Sequence, residues 1–344
     1  MSVPEPAEPW PDAWWGLCRS ASVRPGRPHG VTRLGRRLVL WRDAEGQARC
    51  AHAACPHRGT DLSLGSVQGG ALTCRYHGFR FGADGACTHV PCEGADAKIP
   101  PRLHLRGVPV IEAHGYVFGW LGDPAEAPAA PGWVPDAPEP SAGEGQRDLE
   151  WPVRLGRAVE SMLDIHHLVH AHPIAAMPGY TRLEPFDAEF DEGGVLRSTG
   201  RLRRDDRPGT GLLFRMDLAP PAQLCLRLTE QVDAIVVCTP IDAENTWLGL
   251  RYRVRVPWLG ALPGVDRLVS ELAIAVELGL VQPDDLRMVG AAEPRGFTPA
   301  DGQLVHADKA IALWHGWRER ATRDRPLRGA DVPRPVRPAR PHTP

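Results

Sequence analysis

Two short stretches of cysteine and histidine constrain this chain more than any other feature of its sequence. The first, CPHRG, contains Cys55 and His57, and the second, TCRYHGFRF, contains Cys74 and His77. Each stretch offers one thiol and one imidazole, which are common protein ligands of zinc and iron. The four residues are therefore a candidate metal site built from two loops.

Two kinds of metal group bind two cysteines and two histidines. Zinc takes such a set in a tetrahedron and would form a structural knuckle. A Rieske [2Fe-2S] cluster holds one iron with two cysteines and the other iron with two histidines. In the second case each loop must supply one cysteine and one histidine, and this sequence does so. The spacing alone leaves both alternatives open.

The residues around these ligands favour the cluster. CPHRG followed by LTCRYHGFRFGADGAC resembles closely the Rieske domain of ring-hydroxylating oxygenases, from about residue 15 to residue 124. The resemblance implies that Cys55, His57, Cys74 and His77 bind a [2Fe-2S] cluster. Two further Cys-x-His pairs lack a second matching loop, and we interpret them as structural: Cys50 with His52, and Cys87 with His89.

The same resemblance separates two types of Rieske protein. Respiratory-chain members brace the two loops with a disulfide, which needs an extra cysteine in each loop. The corresponding places in this sequence hold Thr60 and either Arg75 or Tyr76. We therefore expect the oxygenase or ferredoxin type.

The composition argues against several classes of protein. A formal net charge of −2 argues against nucleic-acid binding, which usually needs a basic surface. No apolar run approaches the roughly 18 residues of a membrane helix. The first residues, MSVPEPAEPWPDAWW, have neither a basic start nor an apolar core, so no signal peptide is predicted. We expect a cytoplasmic location with reduced thiols.

The chain is predicted to have an α+β fold in two domains. Short apolar segments broken by Gly, Pro and Asp predict an all-β Rieske domain at residues 10–125. Residues 126–148, rich in Pro and Ala, predict a linker. Residues 149–325 predict a catalytic domain with a mostly antiparallel sheet flanked by helices, at 157–172, 264–281 and 303–321. The Pro- and Arg-rich residues 326–344 are predicted to be disordered.

A second group of histidines lies in DIHHLVHAH. Two histidines and one carboxylate can hold Fe(II) and leave positions open for oxygen and substrate. Helix geometry favours His166 with His170, which lie on one face. The resemblance instead favours His167 with His172, because Asp164-x2-His167-x4-His172 is similar to the D-x2-H-x4-H pattern of Rieske oxygenases.

The second pairing needs an irregular backbone. Residues five apart on an ideal helix point about 140° away from each other. We expect the helix to break near His172, since Pro173 follows it. Ser161 stands where relatives commonly carry Asn, a position that does not bind the iron.

The third iron ligand should be a carboxylate far along the chain. LVHADKAIALWHGWRER resembles the closing helix of the family, and this implies Asp308 as the ligand. Asp301, in TPADG, is the alternative, although a Pro and Gly turn is a more natural setting for it.

The resemblance implies an oxygenase component that hydroxylates or oxidatively demethylates a small, mostly apolar substrate with O2. It would take electrons from NAD(P)H through a separate reductase or ferredoxin. The family assembles head to tail as a homotrimer, in which Asp164 would bridge His77 of one subunit to His167 of the next. The alternatives are a Rieske electron carrier with a non-catalytic second domain and a zinc-stabilised interaction module.

Overall fold

A computed structural model describes residues 9–94, 96, 98–172, 180–204, 211–256, 264–296, 300 and 302–323. Within these ranges, no helix has the length and apolar character needed to cross a membrane. The described chain forms a β domain followed by a larger domain of sheet and helices, which confirms the predicted fold class.

The N-terminal domain consists of short antiparallel strands. They are β1 (Trp14–Arg19), β2 (His29–Arg33), β3 (Arg36–Arg42), β4 (Ala48–His52), β5 (Ser66–Gln68), β6 (Ala71–Thr73), β7 (Arg80–Phe81), β8 (Cys87–His89), β9 (Val110–Ala113) and β10 (Tyr116–Trp120). They form sheets of order β1-β10-β9, β2-β3-β4 and β5-β6-β7-β8. The turn between β3 and β4 is held by Asp43, whose carboxylate accepts the backbone N–H groups of Glu45 and Gln47.

The second domain is built on an antiparallel sheet of seven strands. These are β11 (Glu144–Trp151), β12 (Tyr180–Phe190), β13 (Leu196–Arg204), β14 (Gly211–Ala219), β15 (Gln223–Thr229), β16 (Val232–Pro240) and β17 (Thr246–Val254). Their order is β11-β17-β16-β15-β14-β13-β12. The helices are α1 (Leu155–Leu163), α2 (Leu168–Ala171), α3 (Val265–Val276), α4 (Gln282–Gly290) and α5 (Lys309–Arg323).

The predicted helix at 157–172 is interrupted earlier than expected. α1 ends at Leu163, and the backbone of Asp164 is extended, with φ −86° and ψ 93°. The Asp164 carboxylate accepts the N–H groups of His166 and His167, which begins the next turn much as a helix cap does. Pro173, the expected cause of a break, lies outside the described residues.

Two other predicted boundaries also shift. The segment predicted as one helix at 264–281 is α3 followed by a π-helical turn, Glu277–Val281, which continues into α4. The predicted linker overlaps the sheet, because β11 begins at Glu144. The predicted disordered tail, 326–344, lies outside the described residues.

Arg251 forms a buried ion pair within the large sheet and also hydrogen-bonds the β domain. Its guanidinium donates to both carboxylate oxygens of Glu144, at 2.9 and 2.8 Å, and both side chains are almost fully buried. The same guanidinium donates to the carbonyl of His114, at the β9–β10 turn, and to that of Pro138 in the linker segment. One side chain therefore ties the β domain, the linker segment and the large sheet together.

We expect Glu144→Ala to lower the free energy of unfolding by about 3–5 kcal/mol, because it leaves the Arg251 charge buried without its partner. Asp148→Ala is the matched control, since Asp148 pairs with Arg19 at a partly exposed site of β11. That change should cost at most about 1 kcal/mol. Urea unfolding followed by circular dichroism compares the two, and equal losses would contradict the role given to Arg251.

Candidate metal centres

The two cysteine loops have the same backbone design. In the first, the Cys55 N–H donates to the Thr60 carbonyl and the Gly59 N–H donates back to the Cys55 carbonyl. In the second, the Cys74 N–H donates to the carbonyl of Phe79 and the Gly78 N–H donates to the Cys74 carbonyl. Both glycines have positive φ, 72° and 73°, which favours glycine over other residues at these positions.

In each loop the cysteine lies deeper in the domain than the histidine, an arrangement that suits a cluster near the domain surface. Cys55 and Cys74 are buried in the hydrophobic core of the β domain. His57 and His77 lie further out, with their ring centroids 4.7 Å apart. His57 also stacks on Phe79, at 4.6 Å and an interplanar angle of 6°, which orients its ring.

These residues fit a [2Fe-2S] cluster. Both cysteines are free thiols, so no disulfide competes for them. Burial raises the pKa of the Cys55 thiol to about 11, so a nearby cationic metal would be needed to keep it as a thiolate. Two buried sulfurs beside two outer imidazoles match the division of ligands in a Rieske centre. The structure thus brings together the four residues predicted from the sequence.

The other Cys-x-His pairs lie within strands. Cys50 of β4 and Cys87 of β8 are both buried in hydrophobic cores. Burial raises the pKa of each thiol above its ordinary value, and it lowers the pKa of His52 to about 4. Neutral, buried side chains of this kind are consistent with the structural role expected for them.

The second centre joins two of the predicted histidines to an unexpected carboxylate. His172 Nε2 lies 3.0 Å from Asp285 Oδ1, and His167 Nε2 lies 3.5 Å from the same oxygen. Candidate ligand atoms of the three residues all lie within 4.8 Å of one another. His166 and His170 instead face each other nearer the surface, with centroids 5.4 Å apart.

The structure corrects the choice of Asp308 as the third ligand. Asp308 lies in the 3-10 turn His306–Asp308 that precedes α5, and its carboxylate accepts the backbone N–H of Val305. This is the role of a residue that caps the start of a helix. Its rival Asp301 lies outside the described residues. Asp285 completes the group instead.

Sequence reasoning missed Asp285, although a local signal was present. In VQPDDLRM, Pro283 marks the start of a helix, and Asp285 lies in its first turn. A buried aspartate needs a cation or hydrogen-bond donors to balance its charge, and the Asp285 side chain is only 8% exposed. The start of α4 was therefore a better place to look for a carboxylate ligand than the start of α5.

The chemistry of this group fits a metal ion. His172 is 2% exposed, and neither of its ring nitrogens has a hydrogen-bond partner among the residues that the structure describes. Its Nε2 lies 3.0 Å from Asp285 Oδ1, but the two groups do not form a hydrogen bond. This arrangement is expected when two ligands point toward one shared metal ion. Burial raises the pKa of the Asp285 carboxyl to about 6, which a cation would reverse. Two imidazoles and one carboxylate suit Fe(II).

The Asp164 carboxylate faces the ring nitrogen of His167 that points away from Asp285. One carboxylate oxygen caps the backbone as described above, and the other, Oδ2, lies 3.7 Å from Nδ1 of His167. Nδ1 is the ring nitrogen that stays free when Nε2 faces Asp285. The Asp164 side chain is about one third exposed, so its carboxylate also remains accessible from outside the chain.

An apolar cavity of about 130 Å³ opens beside this group. Alternate residues of β11, β15, β16 and β17 point into it, as expected for one face of a pleated sheet. They are Leu149, Trp151, Leu224, Leu226, Leu228, Ala234, Val236, Leu248, Leu250 and Tyr252. His167 and Asp285 line the same cavity, so a molecule bound in it would lie next to the candidate metal ligands.

Comparisons with known proteins bear on the Rieske domain and on the fold. Residues 13–109 match the family model of the Rieske [2Fe-2S] domain. The chain is 28% identical over 301 residues to chlorophyllide a oxygenase, chloroplastic, of Chlamydomonas reinhardtii, which covers 83% of this chain and 44% of that protein. It is 35% identical over 171 residues to the chloroacetanilide N-alkylformylase oxygenase component of Rhizorhabdus wittichii (strain DC-6 / KACC 16600), covering 48% and 47% of the two chains. The chain thus spans less than half the length of these relatives.

The fold is shared over nearly the whole chain. The crystal structure of dicamba monooxygenase bound to dicamba superposes with a TM-score of 0.72 at 18% identity, covering 91% of this chain and 97% of that chain. Its likeness therefore includes the second domain as well as the Rieske domain. Residues 13–109 are therefore a Rieske [2Fe-2S] domain, and the fold of the chain as a whole is similar to that of dicamba monooxygenase.

Proposed function

We propose that this chain is an oxygenase component that hydroxylates or oxidatively demethylates a small, mostly apolar substrate with O2. Its electrons would come from NAD(P)H through a separate reductase or ferredoxin. The observation that carries the proposal is the group of His167, His172 and Asp285, of which His167 and Asp285 line an apolar cavity. Relatives named as oxygenase components support it.

Each proposed group has its own ligands. Cys55, His57, Cys74 and His77 would hold the [2Fe-2S] cluster, and His167, His172 and Asp285 would hold the mononuclear iron. When bound, the cluster supplies one-electron transfer and the iron supplies oxygen activation. The cavity would then bind the substrate by excluding water from its apolar walls and would keep it next to the iron ligands.

Asp164 would act as a positioning residue. Its carboxylate can accept a hydrogen bond from Nδ1 of His167, which fixes the tautomer that leaves Nε2 free to bind metal. Its remaining exposure allows a second hydrogen bond from a histidine of another subunit. We propose that the chain forms a homotrimer in which His77 of one subunit meets Asp164 of the next. Sedimentation of a fully active monomer would contradict this arrangement.

A Rieske electron carrier with an inert second domain is the alternative function. A carrier has no need of two imidazole nitrogens that lack a hydrogen-bond partner in the described part of the chain and lie beside a buried carboxylate. It also has no need of an apolar cavity at those residues. A screen of small aromatic and alicyclic compounds with a surrogate reductase separates the two functions, because only an oxygenase gives substrate-dependent NADH consumption and an oxygenated product.

Metal analysis tests the two centres directly. We expect three iron atoms and two acid-labile sulfides per chain, from one cluster and one mononuclear iron. Cys55→Ser should lose the sulfide and the visible absorption of the cluster. Cys87→Ser, the matched control in a Cys-x-His pair of β8, should keep both. Stoichiometric zinc without labile sulfide would refute the Rieske assignment.

A further inference from the structure

Among the polar residues of the cavity wall, two come from the junction of α3 and α4. Glu277 begins the π-helical turn between α3 and α4, and Gln282 is the first residue of α4. Both line the cavity together with His167 and Asp285. π-Helical turns are rare and often occur at functional sites, where they redirect a side chain.

The orientation of Gln282 is fixed by Trp151. The indole Nε1 of Trp151 donates to Oε1 of Gln282 at 3.0 Å, and both side chains are buried. With its oxygen occupied in this way, Gln282 has its amide NH2 left to donate, and a hydrogen bond from this side chain partly offsets the rise that burial causes in the pKa of the Glu277 carboxyl. The amide therefore holds one part of the carboxyl group and leaves its remaining acceptor positions free.

Glu277 has no cationic partner among the described residues that line the cavity, which include no arginine or lysine. Burial in the cavity wall raises the pKa of its carboxyl group. A carboxyl group taken out of water is costly unless hydrogen bonds replace its hydration. One hydrogen bond from Gln282 meets part of this requirement, and a donor group on a bound molecule would meet the rest.

We propose that Glu277 and Gln282 form the recognition site for a hydroxyl or N–H group on an otherwise apolar substrate. The carboxylate of Glu277 accepts the hydrogen bond, while the leucine-rich strands hold the apolar frame. A donor held at Glu277 would fix how the molecule is turned relative to His167 and Asp285. The inference rests on the proposed function insofar as it takes this cavity to be the substrate site.

Binding of three matched compounds tests the proposal without turnover. They are 2-naphthol, which carries a donor, 2-methylnaphthalene, which replaces the hydroxyl by a methyl group, and 2-methoxynaphthalene, which carries only an acceptor. Equilibrium dialysis of the oxidised holoprotein, without reductant, gives each Kd. We expect Glu277→Leu to reduce the preference for 2-naphthol over 2-methylnaphthalene by about 10-fold, since a hydrogen bond to a charged group contributes at least this much.

Two further variants make the result decisive. Glu277→Met has a side chain of similar length without a strong acceptor, and it should lose the same preference. Glu271→Gln is the matched control, because Glu271 lies on α3 outside the cavity and pairs with Arg147. Removing a carboxyl group from an apolar site is not expected to unfold the protein. A preference that stays within about 2-fold in the Leu and Met variants, or that falls equally in Glu271→Gln, would overturn the proposal.

The two hypotheses can fail separately. If no compound is ever oxygenated but the preference for 2-naphthol depends on Glu277, the oxygenase function fails and the recognition site stands. If oxygenation is observed but the preference does not depend on Glu277, the recognition site is refuted and the oxygenase function stands. The acceptor-only compound, 2-methoxynaphthalene, should show no preference that depends on Glu277.

Discussion

Asp285→Ala is expected to lose the mononuclear iron and to keep the absorption spectrum of the cluster. Asp285 is the carboxylate that faces both His167 and His172, and without it two neutral imidazoles would have to hold a divalent cation alone. Turnover should fall by more than the roughly 10- to 100-fold typical when a residue behind a metal ligand is changed. Iron analysis should then give two atoms per chain instead of three.

Asp308→Ala is the matched control for this experiment. Asp308 lies at the start of α5 and accepts the backbone N–H of Val305, so its loss should cost about 1 kcal/mol of stability and no iron. Loss of iron from Asp308→Ala together with full iron in Asp285→Ala would contradict the geometry described for the second centre. Loss from both variants would point to unfolding, which the melting temperature would reveal.

Asp164→Asn is expected to lower turnover strongly while both metal centres stay in place. The asparagine oxygen can still accept the N–H groups of His166 and His167, so the chain should keep its bend and both metal centres. The negative charge 3.7 Å from Nδ1 of His167 is lost, and with it the carboxylate proposed to fix the histidine tautomer. We expect turnover to fall about 100-fold while iron and sulfide contents are unchanged.

Asp242→Asn is the control for Asp164→Asn. Asp242 accepts the backbone N–H groups two and three residues ahead of it, as Asp164 does, but it lies in the turn between β16 and β17. That variant should keep normal turnover. Stopped-flow oxidation of the reduced cluster in the presence of substrate and O2 gives a second readout, and an unchanged rate in Asp164→Asn would remove Asp164 from the electron path.

The first centre could be predicted from the sequence because its information is local. All four ligands lie between residues 55 and 77, and each loop is closed by hydrogen bonds within five residues of its cysteine. A short stretch of sequence therefore contains all four candidate ligands, although the choice of a cluster over zinc came from the resemblance of the residues around them. The predicted antiparallel strands of both domains were confirmed for a related reason, since apolar residues and turns alternate along the chain.

The second centre could be predicted only in part. His167 and His172 lie close in sequence, whereas Asp285 comes from a helix more than a hundred residues further on. Which residue of that helix faces the histidines depends on its rotation, and the rotation depends on the π-helical turn before it. Neither composition nor helical periodicity reveals such a turn. The break at Asp164 was similarly hidden, because it depends on a side chain that accepts the backbone N–H groups of His166 and His167.

The π-helical turn at residues 277–281 couples two properties that could otherwise evolve separately. Each residue added to or removed from a helix rotates everything after it by about 100° and shifts it by about 1.5 Å. Gln282 and Asp285 both lie directly after this turn, so a length change there would move them together. An insertion or deletion at this point would therefore change the cavity and disrupt the metal site at the same time. Side-chain replacement within a fixed length, as at Glu277, is the route left open for new substrate preferences.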